Sequence, residues 1–423
     1  MSVLLVGLSL LLMVGLLASA ALLSRRFGLH PEIARKAIHI GLGLYCLTFP
    51  LLFDRAGPVI VLCGSAVPLM LVLRASRHRH SSLGAGVHGV ARESYGELLF
   101  AVSVALIFTL GHRQLVTYLL PIAILTLSDA AAALVGVRYG RVHFRIEGGY
   151  KSLEGAVIFL LTAWIISMCL LLIFSDVSRL SVIVLGALIA VYGTLMEGAS
   201  WHGWDNFFLP VAIYLVLVHA LGVPSIALLE TASISLACWG IVLLVGPRLG
   251  LDRHAATFLT AVIATIGMVS SPWNIVLPIT ALLCHLASRD ASHEAFSSHL
   301  RFGLVLTILA LTWYVIGTIT TVPILYAFNT SFAALALGLL AVRGRTYAAL
   351  AMLPVCWALI EARSLVGPGV TPTDVGSELR LLGVLILAVA AGVLGQRLRR
   401  PPPCEAVGVM SFAAGITMLA SVL

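Results

Sequence analysis

The sequence predicts an all-α fold: a polytopic transmembrane helical protein of about 16 spans (14–16), with both termini on the outer side. Three observations lead there. Of the 423 residues, 60% are hydrophobic and only 10% charged, against about 25% charged in soluble domains. Apolar runs long enough to cross a bilayer alternate with short polar breaks. The basic residues also alternate from one break to the next, as the positive-inside rule requires.

In chain order, the runs of the first half are Val3–Leu23, Ala37–Phe53, Gly57–Leu73, Gly96–Leu110, Leu115–Val137, Ala156–Phe174, Leu180–Met196 and Phe207–Leu221. Those of the second half are Ile226–Val245, Ala256–Val269, Ile275–Ala287, Phe302–Thr320, Ile324–Val342, Tyr347–Glu361, Leu381–Gly395 and Val407–Leu423. Every Lys and Arg falls in alternate connections except Arg55, Arg113, Arg179, Arg363 and Arg380. The basic connections are therefore cytoplasmic. The first run ends in LASAALLS but lacks a basic n-region and is followed by Arg25–Arg26, so it is expected to remain as a helix rather than be cleaved.

This charge pattern accounts for the net charge of +8 without a nucleic-acid partner; the expected partner is the lipid bilayer. The seven cysteines are scattered with no C-x-x-C pair, which excludes a disulfide framework and a zinc site. No polar segment is long enough for a separate soluble domain, so any chemistry is built from helix ends and short loops.

Polar residues near the cytoplasmic boundary are the informative ones. Arg35, Lys36 and His39 open the second run within about one turn; alone, they read as snorkelling anchors. Glu93 and Tyr95 precede the fourth run and Glu97 falls at its start, where acids suit a helix's first turn. Asp129 is different. It lies inside the fifth run, about eight residues or 12 Å from its inner end, where a carboxylate costs about 2.5–3.5 kcal/mol and faces cavities, ions or partners. Small residues from Ala130 to Gly136 surround it.

After Gly140 the chain turns basic, and EGGYKSLEG leads into the next helix. Ser152 is placed to cap it, with Lys151 beside a helix N-terminus that suits phosphate. An ordinary capped loop is the competing reading. The seventh run ends in LMEGASWHGWDNFFLP, an inner connection with Glu197, Asp205 and Asn206 but no Lys or Arg. That pattern fits a magnesium site, or else a turn closed by the Asp205–Asn206 pair. GAGVHG at Gly84–Gly89 lacks the strand of a dinucleotide fingerprint, and HEAFSSH misses the zinc-protease spacing.

Taken in order, RKAIH (Arg35–His39), ESYGE (Glu93–Glu97), SDAAAALVGVRYG (Ser128–Gly140), KSLEG (Lys151–Gly155) and EGASWHGWDNFFLP (Glu197–Pro210) resemble the dolichol kinase and phytol kinase family of CTP-dependent polyprenol kinases. The resemblance spans about His30 to Leu215. It implies a membrane-embedded phosphotransferase passing the terminal phosphate of CTP to an isoprenoid alcohol such as dolichol or phytol, with Mg2+ as cofactor. By the same resemblance, Asp129, Lys151 and Asp205 are the candidate catalytic residues. Asp129, Glu197 and Asp205 are the metal ligands. Gly136, Arg138, Gly140, Arg141, Lys151, Ser152, Glu154 and Gly155 bind nucleotide, while Arg35, Lys36, His39, Glu93, Tyr95, Glu97 and Asn206 complete the site. His143 stands where relatives often carry lysine, and Arg138, Arg141 or Arg145 is expected to compensate.

Residues 1–221 are thus expected to form the catalytic domain and 222–423 a transmembrane domain of unassigned role. Two other classes use similar parts. A CTP-using lipid cytidylyltransferase would carry a long Lys-Asp/Gly-His-Gly-Gly/Asp-Arg signature, which is not found. A lipid or isoprenoid transporter would spread its polar groups over both halves.

Overall fold

The computed structural model describes residues 2–27, 31–74, 95–270, 272–288, 297–320, 324–366, 375–396 and 404–422. Among the described residues, each of the sixteen apolar runs lies largely within helical structure. Six helical segments among the described residues are both long and apolar enough to span a bilayer: Leu115–Tyr139, Leu153–Phe174, Arg179–Ala199, Ser298–Thr320, Leu325–Val342 and Glu378–Gln396. Shorter apolar helices among the described residues include Gly96–Gly111 and Asp205–Ala220.

Contacts divide the chain into two compact units, Met1–Leu236 and Ala237–Leu423. The division falls inside the helix Ser225–Val245. In the first unit, α1 (Ser2–Phe27), α2 (Pro31–Leu47), the one-turn α3 (Phe49–Leu52), α4 (Ala56–Arg74) and α5 (Gly96–Gly111) come first. Then α6 (Leu115–Ala123) runs through a π-helical turn, Ile124–Ser128, directly into α7 (Asp129–Tyr139). A β-hairpin follows, with β1 (His143–Ile146) antiparallel to β2 (Gly149–Ser152). The unit continues with α8 (Leu153–Phe174), α9 (Arg179–Ala199) and α10 (Asp205–Ala220). Among the described residues this hairpin is the only sheet.

The π turn and the hairpin shape the active half. Pro121, inside α6, removes a backbone donor and disturbs regular helix. In the π turn the Asp129 N–H reaches back to the Ile124 carbonyl, five residues away, which shifts the face on which Asp129 emerges. Such turns concentrate at functional sites. In the hairpin, Gly148 takes φ +75°, a conformation that favours glycine.

In the second unit, the helix Leu325–Val342 is buried along almost its whole length, which explains why it is apolar on every face. Trp313 donates to Ser331 Oγ at 3.0 Å beneath it. Elsewhere in this unit His285 stacks on Phe302, with ring centroids 4.3 Å apart.

Candidate active site

Five elements of the first unit, α2, α7, β2, α9 and α10, bring their polar residues together. On α2, Lys36, His39 and Gly43 recur at i, i+3 and i+7 and so share one helix face. That face lies against the π turn. Gly43 is required there, since a Cβ at this position would come within 2.8 Å of the Thr126 Cβ and closer still to its other side-chain atoms. Close approach lets Lys36 donate to Asp129 Oδ2 at 2.6 Å. His39 Nε2 lies 2.9 Å from the Leu125 carbonyl and 3.6 Å from the same Asp129 oxygen. The imidazole is held from its other side by Phe100 of α5, edge to face at 5.3 Å.

The second arm comes from the hairpin. Lys151, on β2, donates to Glu197 Oε1 at 2.6 Å and also to the Glu197 backbone carbonyl. Burial pulls the Lys151 ammonium's pKa down, but the Glu197 and Asp205 carboxylates outweigh it and hold the value above the ordinary 10.5. Lys151 is therefore a cation at physiological pH.

Asp205 is the first residue of α10. Its Oδ1 accepts from the Asn206 N–H at 3.1 Å, and Asn206 Nδ2 donates to the Gly203 carbonyl at 3.3 Å. The turn reading of the Asp205–Asn206 pair thus describes its backbone, while the Asp205 carboxylate also joins a cluster. Ligand oxygens of Asp129, Glu197 and Asp205 all lie within 4.8 Å of one another. At that separation two full negative charges repel by about 3.5 kcal/mol at an effective dielectric of about 20. Lys36 and Lys151 offset part of this repulsion.

A divalent cation would offset more, and the donor set suits one. The cluster offers carboxylate oxygens without sulfur or imidazole ligands, as hard Mg2+ prefers. Next to it, Asn206 is 6% exposed and its Oδ1 is buried without a hydrogen-bond partner. Buried acceptors are rarely left so. Asp129, Glu197 and Asp205 are accordingly the residues able to hold the ion.

Not every residue singled out in the sequence reaches the cluster. Ser152 caps α8, its Oγ accepting from the Gly155 N–H at 3.1 Å. Gly136, Gly140 and Gly155 crowd around Ser152, where they let α7, β2 and α8 pack closely. Glu154 accepts from the Val142 N–H at 3.2 Å and pins the hairpin's entry. Arg138 and Arg141 are exposed, and Arg138 lies over the Tyr139 ring, about 13 Å along α7 from Asp129. Arg35 is half-buried beside Lys36, and Glu97 half-buried at the start of α5. Tyr95 donates its N–H to the His202 carbonyl at 2.9 Å, tying α5 to the turn between Glu197 and Asp205. Glu93 and Gly84–Gly89 lie outside the described residues.

One contributor escaped the sequence reading. His202 adopts φ 49°, uncommon for a residue with a side chain. Its ring fills the space a Cβ at Gly148 would need, with Nε2 2.5 Å from that point. The hairpin turn therefore rests on the loop that carries Asp205. The dipeptide His202-Gly203 was the available signal, since adjacent residues with positive φ mark an irregular turn.

Comparison with known proteins decides the family. The chain is 30% identical over 207 residues to phytol kinase of Synechocystis sp., a match covering 48% of this chain and 85% of that protein. The chain belongs to the dolichol kinase and phytol kinase family. Family membership rests on its first half, which contains the whole cluster. A second match, to dolichol kinase of Saccharomyces cerevisiae, is 32% identical over 152 residues, 35% of this chain and 25% of that protein. No family model matches, and neither does any solved structure.

Proposed function

We propose that this protein is a polyprenol-type lipid kinase that transfers the terminal phosphate of CTP to the hydroxyl of an isoprenoid alcohol, with Mg2+ as cofactor. The observation that carries this reading is the convergence of Asp129, Glu197 and Asp205 with Lys36 and Lys151. It occurs in the half of the chain related to phytol and dolichol kinases. Phosphoryl transfer needs little covalent help and much positioning and charge stabilisation, and these are the parts assembled here.

In this reading Asp129, Glu197 and Asp205 hold the metal, whose chemistry is to neutralise charge on the transferring phosphoryl group. Lys151, fixed over Glu197 by the hairpin, supplies a permanent positive charge for phosphate oxygens. The alternative role for Asp129 is to accept the alcohol's proton. An isoprenoid tail stays in hydrocarbon while its hydroxyl meets the helix ends. The bias of basic residues supports a site opening to the cytosol, where CTP is found, and supports about sixteen spans with both termini outside. Residues 1–221 then form the catalytic domain.

The test is product analysis. Purified protein is incubated with CTP labelled at the terminal phosphate, Mg2+, and phytol, dolichol or shorter prenols. The kinase reading requires label in a lipid monophosphate and release of CDP. Pyrophosphate release would assign a cytidylyltransferase, and alcohol flux without nucleotide a transporter.

A further inference from the structure

Asp129 and Glu197 each carry one lysine at 2.6 Å, but the two lysines are held differently. Lys151 is anchored twice, on the Glu197 carboxylate and on its backbone carbonyl. Among the described residues, Lys36 makes one hydrogen bond, to Asp129 Oδ2, and it is 3% exposed at the foot of α2. A buried ammonium held by a single carboxylate oxygen occupies one of the oxygens offered to a metal. It also places a positive charge where the metal's own charge would sit.

We propose that Lys36 is an exchangeable counter-cation. It neutralises Asp129 in the metal-free protein and cedes that carboxylate to the divalent cation. Its ammonium then passes to a phosphate oxygen of the incoming nucleotide. The inference rests on the reading of Asp129, Glu197 and Asp205 as the metal site, and gives Lys36 a role the family resemblance leaves open. The physical basis is charge bookkeeping at short range. Three carboxylates with two lysines leave the cluster with one net negative charge. Adding a divalent cation without moving Lys36 would overload Asp129 with positive charge. Nucleotide phosphates remove that excess, so metal and nucleotide should bind cooperatively, with Lys36 as the coupling group.

The experiment titrates Mn2+ alone into detergent-solubilised full-length protein, with free Mn2+ read by electron paramagnetic resonance. A second titration adds a non-hydrolysable CTP analogue at saturating Mn2+. Lys36→Met is expected to bind Mn2+ about tenfold or more tightly than wild type, because its competitor is gone, and the analogue about tenfold or more weakly. Lys36→Arg keeps a cation at the position and should retain near wild-type Mn2+ affinity, which separates charge competition from loss of packing. If Lys36→Met binds Mn2+ equally or more weakly while Asp129→Asn abolishes binding, the exchange is overturned and the metal site survives. Tighter Mn2+ binding with unchanged analogue affinity overturns the transfer of Lys36 to phosphate. No Asp129-dependent Mn2+ binding in any variant overturns both the exchange and the metal site.

Discussion

Lys151 and Glu197 meet at 2.6 Å although 46 residues separate them, one on a hairpin strand and the other at the end of α9. The contact joins the hairpin to the acidic cluster. Because the folded state holds the Lys151 pKa above the ordinary 10.5, the linkage has a definite sign. The stabilisation is complete below about pH 10.5, the unfolded value, and is lost as pH rises through the higher folded value. Thermal midpoints of wild type and Lys151→Gln should differ by a constant amount from pH 7 to pH 10 and converge above that. Convergence already by pH 8 would contradict the assigned pairing.

Gly43 and Thr126 occupy the same space between α2 and the π turn. Gly43→Ala should destabilise the protein by about 1–3 kcal/mol, the usual cost of overpacking, and lower activity by moving Asp129. Thr126→Ala in the same chain should recover only part of that loss, since the Cβ at position 126 still lies 2.8 Å from the added methyl. Thermal midpoints of the two single variants and the double variant measure the coupling. Simple additivity would show that the two positions do not share this contact.

At the hairpin turn, Gly148 combines positive φ with the His202 contact. Gly148→Ala is expected to cost about 1–2 kcal/mol from backbone strain and crowding. It should also raise the KM for nucleotide more than it lowers kcat, since Lys151 follows three residues later. His202→Ala relieves the crowding but not the strain, so the double variant should recover only part of the stability. Full recovery would place the whole cost in the side-chain contact.

Much of this architecture was legible in the chain because membrane sequences report burial directly. Apolar runs of about 20 residues have little choice but helix, and the runs lie largely within helical structure. Asp129 stood out because a carboxylate in such a run must be paired, and Glu197 and Asp205 because their connection lacked a Lys or Arg. What the chain did not reveal was long-range or irregular. The partner of Asp129 is Lys36, 93 residues away, and nothing local distinguishes Lys36 from a snorkelling anchor. The π turn has no composition of its own. Strands of four residues are too short for alternation to show, so EGGYKS read as a loop. The glycines expected to bind nucleotide crowd around Ser152, and glycine serves close packing and phosphate approach by the same absence of a side chain. Six segments meet the length and apolarity of a span, since helix breaks near the cluster shorten others such as α5 and α10.

The central claim is that Asp129, Glu197 and Asp205 act as one catalytic unit. Its most direct test is the rate of terminal-phosphate transfer from CTP to a prenol in Asp129→Asn, Glu197→Gln, Asp205→Asn and the triple variant, each confirmed folded. Residues acting as a unit are grossly non-additive. Each single change should therefore cost about 100-fold or more, and the triple little beyond the worst single. Near-normal transfer by any single variant, or losses that multiply, would contradict the shared site.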